Sequence, residues 1–239
     1  MLRAVETEAA DEFAPILSGR GASDYERYLR TDELLALQKR PEERAHRDEL
    51  LFQTVHQSSE LWLQLAAAEV EGATATVGEG EIRPALRLLR RAALCLQLIT
   101  RQLDMLDQLS PWEYTRHIRP VLGHGSGFDS PGFGAARRVS PALGDAFHRL
   151  RRARRLSLVE VYREGADLYD LAEALTEWDE RLGTWRLRHF QVVARIIGDE
   201  VVGTQGTPVQ LLGELIKNRL YPELWQVRNE LTELAKGQG

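Results

Sequence analysis

Residues 46–65 read HRDELLFQTVHQSSELWLQL, and this stretch decides the fold class. Its apolar and aromatic positions follow the i, i+3, i+4, i+7 spacing that puts side chains on one face of a helix. The side chains on that face are Phe52, Val55, His56, Ser59 and Leu63. We therefore predict one long helix from about Pro41 to Val70.

The same helical spacing continues on both sides of this stretch. Further helices are predicted from Asp24 to Leu35, over 82–109, from Ser110 to Arg119, over 157–182, over 183–197 and over 209–235. Glycine-rich segments predict loops at 72–81, 123–134 and 203–208. No window alternates with the period of two that a strand requires, so the expected fold class is all-α.

Composition limits the class of protein. The chain has 239 residues and a net charge of −5, which gives no electrostatic reason to expect nucleic-acid binding. No apolar run approaches the ~20 residues of a membrane span, and the N-terminus lacks the apolar core of a signal peptide. Cys95 is the only cysteine, so no internal disulfide is possible. We expect a cytoplasmic protein with a flexible arm over 1–20 and a single domain over 21–239.

His189 is the first candidate for chemistry. It shares a helical face with Val192 and Ile196, so its imidazole is expected to face an apolar interior. A buried imidazole needs a partner, because burying an unpaired polar group costs about 1–3 kcal/mol. From spacing alone, His189 is either a core histidine bonded to a carbonyl or a metal ligand.

His56 and Glu60 lie one helical turn apart and are a second candidate. They form either an ion pair or a pair of metal ligands. Glu43 and His46 also have the i, i+3 spacing of di-iron helices, but that motif is needed twice and occurs once here. A non-heme di-iron site is therefore a minor alternative.

Arg119 lies between a predicted helix end and the glycine-rich loop at 123–134. A guanidinium there is either a surface group or a clamp that holds a carboxylate with two parallel hydrogen bonds. The loops at 123–134 and 203–208 offer backbone N–H groups for a ligand, but neither matches a nucleotide-binding motif.

Taken together, the chain resembles the tryptophan 2,3-dioxygenases. The opening segment resembles the family's Tyr-x-x-Tyr-Leu motif, and 46–65 resembles its most recognisable stretch. Each segment alone is modest, but five in the correct order are specific. The resembling segments are YERYLRTDELLALQ (25–38), HRDELLFQTVHQSSELWLQL (46–65), SPWEYTRHIRPVLGHGSGFDS (110–130), WRLRHFQVVARIIG (185–198) and GTQGT (203–207).

The resemblance implies a helical bundle that encloses a heme pocket. The cofactor would be heme b, with His189 as the proximal iron ligand and Ser126 and Gly127 also at the cofactor. Dioxygen would be the co-substrate, and a small aromatic amino acid would be the organic substrate. The implied reaction is insertion of dioxygen into the indole ring of L-tryptophan, or of a close derivative, with 2,3-cleavage to N-formylkynurenine.

The resemblance also implies the roles of the substrate-binding residues. His56 would be the catalytic residue facing the indole N–H, with Phe52 packing beside the ring. Arg119 would hold the carboxylate, and Thr204 would contact the ammonium or carboxylate end.

The family's N-terminal arm completes the pocket of a neighbouring subunit. Tyr25, Tyr28 and Leu29 would belong to that arm. A homo-oligomer, as a tetramer with shared active sites, is therefore implied.

The chain departs from the family pattern around the substrate. The aromatic residue that lies four positions before the family's arginine is here Tyr114, five before Arg119. On an α-helix this change rotates a side chain by ~100°, so either Tyr114 is displaced or Arg116 shares the carboxylate work. Asp129 follows Ser-Gly-Phe where the family has glutamine, and Gln205 replaces a glycine. The segment between Phe128 and His189 is also shorter than in typical members.

These departures leave two alternatives to tryptophan dioxygenation. One is a heme-dependent mono-oxygenase of a modified tryptophan or a tyrosine in secondary metabolism. The other is a non-catalytic helical protein that binds heme or an indole ligand. The departures cluster in the substrate loops and not at the iron ligand, so heme is the firmer implication.

Overall fold

A computed structural model describes residues 14–237, and helices dominate it. Within these residues the only β-type pairing is an isolated bridge between Val202 and Pro208, so the all-α prediction is confirmed. No helix in the described range is long and apolar enough to cross a membrane. The helices are Asp24–Leu29, Thr31–Leu35, Glu49–Gly78, Ile82–Leu106, Pro111–Glu113, Arg119–Val121, Pro131–Ala153, Leu158–Glu164, Asp167–Ile197, Gln210–Leu215 and Pro222–Lys236. Two 3-10 turns, Pro41–Glu43 and Gly127–Asp129, and a π-helical turn, Tyr114–Ile118, complete the regular structure.

Two compact units are present, divided between Leu50 and Leu51. The first thirteen residues of the predicted arm lie outside the described range. Within the first unit, the Asp24 carboxylate accepts hydrogen bonds from the backbone N–H groups of Ile16 and Leu17, at 3.1 and 2.7 Å. The division into an arm over 1–20 and one domain over 21–239 stays a prediction.

The helix Glu49–Gly78, called the His56 helix below, differs from its prediction at both ends. It begins at Glu49 because Pro41–Glu43 forms a separate 3-10 turn. It runs through the predicted loop at 72–81, where Ala73 and Val77 are buried in the core. A Cβ atom on Gly72 would lie 3.3 Å from Leu88, so this glycine permits close helix packing and does not mark a loop.

The helix Asp167–Ile197, called the His189 helix below, joins what the sequence divided into two helices. Its 31 residues include the segment around Gly183, which is buried without interrupting the helix. The predicted start at Ser157 instead opens a short helix, Leu158–Glu164, with a complete capping box. Gly198 ends the long helix with φ +92°, a backbone conformation that glycine adopts readily.

The helix Pro131–Ala153 begins inside the predicted loop at 123–134. Ser130 caps it by accepting from the N–H of Phe133 at 3.1 Å, and Pro131 occupies the first turn. Gly132 is buried against the His56 helix, because a Cβ there would meet the Glu60 carboxylate and the Leu63 side chain, each at 2.6 Å. Gly132, like Gly72, therefore allows two helices to pack closely.

The predicted C-terminal helix over 209–235 is two helices, separated before Pro222. The buried Asp179 carboxylate stabilises the break by accepting from the N–H of Leu220 at 3.0 Å and from Trp225 Nε1 at 2.9 Å. Pro222 has no backbone N–H with which to continue a preceding helix, so a new helix starts there. The buried Asp179 carboxylate needs hydrogen-bond donors, and Leu220 and Trp225 supply them.

Over residues 14–237, the core consists of two apolar clusters. The larger contains Trp178, which is fully buried and donates its indole N–H to Ser140 Oγ at 3.0 Å. The smaller cluster lies beside the site described next and contains Val55, Leu103, Leu106, Leu109, Ile118, Val192 and Ile196. Trp185 packs against both clusters and therefore connects the bulk of the helical core with the site.

Candidate active site

One cavity brings most of the predicted site residues together. It has a volume of about 530 Å³, which is within the ~300–1,000 Å³ usual for ligand pockets. Two long helices and two loops contribute to its wall. The predicted residues that line it are Phe52, His56, Arg119, Ser126, Gly127, His189 and Thr204.

His189 lies on the His189 helix with its imidazole at the cavity wall. Trp185, one turn earlier, stacks on this ring with 4.7 Å between centroids, and Phe133 packs on the tryptophan at 3.9 Å. Burial, with a smaller effect of His56, lowers the pKa of His189 to about 4. Among the described residues, the ring makes no hydrogen bond. The imidazole is therefore neutral near pH 7 and keeps a nitrogen lone pair for a ligand.

His56 contacts the same cavity from the His56 helix. Its Nδ1 lies 2.7 Å from the Phe52 carbonyl oxygen, and the two rings pack with 4.1 Å between centroids. Burial lowers the pKa of His56, while the Phe52 carbonyl and Glu60 oppose that shift. Because a carbonyl can only accept, Nδ1 carries the proton of the neutral ring and Nε2 is left as an acceptor.

Arg119 lines the cavity with Tyr114, and a π-helical turn makes this possible. The Arg119 N–H donates to the carbonyl of Tyr114, five residues earlier. The wider turn takes up the additional residue between them, so Tyr114 is not displaced. Arg116 does not line the cavity, and its guanidinium lies 5.7 Å from the ring centroid of Trp112.

The same turn explains why the prediction of a helix end by Arg119 is wrong. Helical backbone continues through Arg119–Val121 despite Pro120. In an α-helix the proline ring clashes with the carbonyl four residues earlier, and the π-helical turn widens the backbone at that point.

Two loops form the remaining wall, and hydrogen bonds connect them. Thr204 Oγ1 donates to the Gly125 carbonyl, and Gln205 Nε2 donates to Asp129 Oδ2 at 2.7 Å. Arg119 Nη2 donates to the carbonyl of Val202 at 2.5 Å. The loops are therefore held to each other and to the arginine.

Comparisons with known proteins agree with this arrangement. The sequence model of the tryptophan 2,3-dioxygenase family matches residues 14–157. The tryptophan 2,3-dioxygenase of Caulobacter vibrioides is 33% identical, over 87% of this chain and 98% of its own length. The enzymes of Myxococcus xanthus and Bacillus thuringiensis subsp. konkukian are 31% and 30% identical, over 89% and 87% of this chain and 91% and 92% of their own.

The chain belongs to the tryptophan 2,3-dioxygenase family. This membership confirms the prediction of a dioxygenase enzyme. The identities near one third leave the individual side chains around the substrate to be assigned from the structure.

Glu60 holds a loop of the cavity in place, a role that the sequence did not predict. Its carboxylate accepts from Ser130 Oγ at 2.5 Å and from the N–H of Gly132 at 2.8 Å. It thereby attaches the end of the Ser126–Ser130 loop to the helix that carries His56. Its spacing from His56 suggested an ion pair or a metal site, and no group of three or more metal-ligating side chains occurs among the described residues.

Arg137 and Arg186 also line the cavity of this family member, and neither was singled out from the sequence. Arg186 donates to the Asn218 carbonyl at 2.7 Å, and burial lowers the pKa of its guanidinium. Arg137 is exposed and lowers the Arg186 pKa further through charge repulsion. Two guanidinium groups at one cavity favour an anionic ligand group there.

The three predicted arm residues lie on the first unit. Tyr25, Tyr28 and Leu29 belong to Asp24–Leu29 and are 69%, 78% and 46% exposed. Their predicted role in a neighbouring subunit's pocket stays a prediction.

Proposed function

We propose that this protein is a heme-dependent dioxygenase that opens the indole ring of L-tryptophan, or of a close derivative, to an N-formylkynurenine product. The observation that carries this proposal is the meeting of two imidazoles from separate helices, His56 and His189, at one cavity with a guanidinium, Arg119. Family membership supports the same reaction class.

Heme b fits the residues at this cavity. His189 is neutral and its ring makes no hydrogen bond among the described residues, so a nitrogen lone pair is open to iron, and the stacked Trp185 ring holds the imidazole in place. Gly127 leaves open space, since a Cβ there would meet nothing within 4 Å. Arg137 and Arg186 supply positive charge for the propionates. When bound, ferrous heme supplies the activation of dioxygen.

The chain's own residues orient the substrate. His56 Nε2 accepts the indole N–H, and Phe52 packs against the indole ring. The Tyr114 ring lies beside Phe52, with 5.9 Å between the two ring centroids. Arg119 uses one donor on Val202 and keeps others for the substrate carboxylate. The Thr204 hydroxyl retains lone pairs for the ammonium group. Aliphatic residues of the smaller cluster keep water from the indole.

Two measurements test the proposal. Protein reconstituted with heme should show a Soret band and convert L-tryptophan to a product containing two atoms from labelled dioxygen. Reconstituted protein without a Soret band would exclude this function.

A mono-oxygenase of a modified tryptophan or tyrosine is the second candidate. The observation that favours it is the direct bond between Asp129 and Gln205, the two positions where the substrate loops depart from the family pattern. A product with one labelled oxygen atom and an intact ring would support this candidate and exclude the first. A screen over tryptophan, methylated tryptophans and tyrosine identifies the substrate in either case.

We also propose a cytoplasmic homotetramer in which the arm completes the neighbour's active site. The exposed Tyr25, Tyr28 and Leu29 support it. Removal of residues 1–30 should reduce turnover in proportion to the loss of oligomer, measured by light scattering and product formation. A monomeric truncated protein with full activity would contradict the shared site.

A further inference from the structure

The two substrate loops are joined by a pair of side chains distant in sequence. Gln205 Nε2 donates to Asp129 Oδ2 at 2.7 Å, and both residues line the cavity. The bond is charge-assisted, because a carboxylate accepts it, and such bonds are stronger than neutral ones.

Each side chain projects from a turn that is already closed by its own hydrogen bonds. Asp129 Oδ2 also accepts from the N–H of Ser126 at 3.0 Å, which completes the capping box of the Gly127–Asp129 turn. On the other side, the Gly203 N–H donates to the Thr207 carbonyl at 2.8 Å. The Asp129–Gln205 bond therefore connects two preformed turns, and little further ordering is needed to form it.

The second turn carries two groups that the proposed reaction uses. Thr204 is adjacent to Gln205, and the carbonyl of Val202 holds the Arg119 guanidinium. A movement of this turn would displace the threonine hydroxyl and free the arginine together. The position of this turn therefore determines how the site binds the ammonium and carboxylate groups of the substrate.

We infer that Asp129 and Gln205 are a positioning pair that determines how tightly, and how selectively, the site holds the α-amino-acid end of an aromatic substrate. This inference rests on the proposed function. The pair acts through Thr204 and Arg119 and does not need to touch the reacting ring.

The test separates the hydrogen bond from the charge of Asp129. Gln205→Ala and Asp129→Ala remove the bond, whereas Asp129→Asn keeps an acceptor and removes only the charge. In heme-reconstituted protein, each alanine variant should raise KM for L-tryptophan about five- to tenfold, the size of one hydrogen bond, with kcat within about twofold. Asp129→Asn should retain most of the affinity. Gln210→Ala, on an exposed residue that does not line the cavity, is the matched control.

Selectivity and loop motion provide independent readouts. The alanine variants should reduce the preference for L-tryptophan over indole-3-propionate, which lacks the ammonium group. Amide hydrogen exchange over 202–208 should be faster in these variants than in wild type or Gln210→Ala, with or without heme. Because Asp129→Ala also removes the acceptor of the Ser126 N–H, the double alanine variant should show little more effect than Asp129→Ala alone.

Three results would overturn the inference. They are unchanged KM and exchange in both alanine variants, additive effects in the double variant, or Asp129→Asn as damaging as Asp129→Ala. The exchange measurement needs no turnover, so it tests the pair even in protein that binds no heme. Absence of a Soret band in wild type concerns the proposed function alone.

Discussion

The cavity has two unlike walls. The helical wall carries His56 and His189 on two helices of 30 and 31 residues, and the apolar side chains around them are buried. The loop wall, Ser126–Asp129 with 203–207, is largely exposed and is held by a few polar bonds. The first wall depends on many dispersed contacts and the second on a few specific ones.

Because of this difference, cofactor binding and substrate binding should respond differently to substitutions. A side chain on a long packed helix is positioned by many core contacts, so the position of His189 does not depend on a single hydrogen bond. A group on an exposed loop is positioned by individual bonds, and one substitution can move it. We expect loss of His189 from the helical wall to abolish heme binding, loss of His56 from the same wall to impair turnover, and changes in the loop wall to adjust substrate choice.

The largest effect should come from His189→Ala. Removing the imidazole removes the proposed axial ligand while Trp185 and the apolar wall remain, so the variant should lose nearly all its heme. Absorbance at the Soret band per mole of protein measures this. His124→Ala, an exposed histidine that does not line the cavity, is the control. Equal heme content in wild type and His189→Ala would refute the ligand assignment.

His56→Ala tests the other imidazole of the helical wall. Heme content should stay near that of wild type, while turnover should fall by about 100-fold because the indole N–H loses its acceptor. Soret absorbance and product formation on the same sample separate the two roles. Loss of heme in this variant would instead make His56 a second ligand or a structural residue.

Arg119→Ala tests the residue that connects the helical wall with the loop wall through its bond to Val202. The KM for L-tryptophan should rise about 30-fold, because a charge-assisted pair with the carboxylate is lost. Arg116→Ala should leave KM unchanged, since Arg116 lies against Trp112 outside the cavity. The reverse result would mean that the π-helical turn does not select between the two arginines.

Deletion of Thr115 should have the smallest effect on KM. It should return the Tyr114–Ile118 turn to α geometry with Tyr114 and Arg119 still on one side, so KM should stay within about threefold of wild type. The Pro120 ring would then clash with the carbonyl four residues earlier, so the melting temperature should fall. Deletion of Thr54, between Phe52 and His56 on a regular helix, rotates one relative to the other by ~100° and should abolish activity. Equal damage from both deletions would count against the role of the π-helical turn.

Much of the fold was predictable because helices are local structures. Periodicity identified the His56 helix and the His189 helix, and the predicted helix end at 197 and helix start at Ser110 are confirmed. The errors occurred at glycines such as Gly72 and Gly132, which were interpreted as loop signals. They serve helix packing, and only the neighbouring helix reveals that.

Family resemblance supplied the candidate residues, and the structure supplied their relations. Sequence spacing left Arg116 and Arg119 as alternatives, and the π-helical turn distinguishes them. The bonds of Glu60 to Ser130 and Gly132 were not predictable, because its spacing pointed to His56. Asp129 and Gln205 were each visible as a departure, and nothing in the sequence related one to the other.

By itself, the sequence determined that the chain is helical, that His56 and His189 lie on helical faces with apolar neighbours, and which family it resembles. These properties follow from contacts within one or two turns of the chain. Only the tertiary structure decided which arginine reaches the cavity and how the two substrate loops are joined. Those outcomes depend on hydrogen bonds between residues such as Asp129 and Gln205, which are 76 positions apart, and a local pattern carries no information about them.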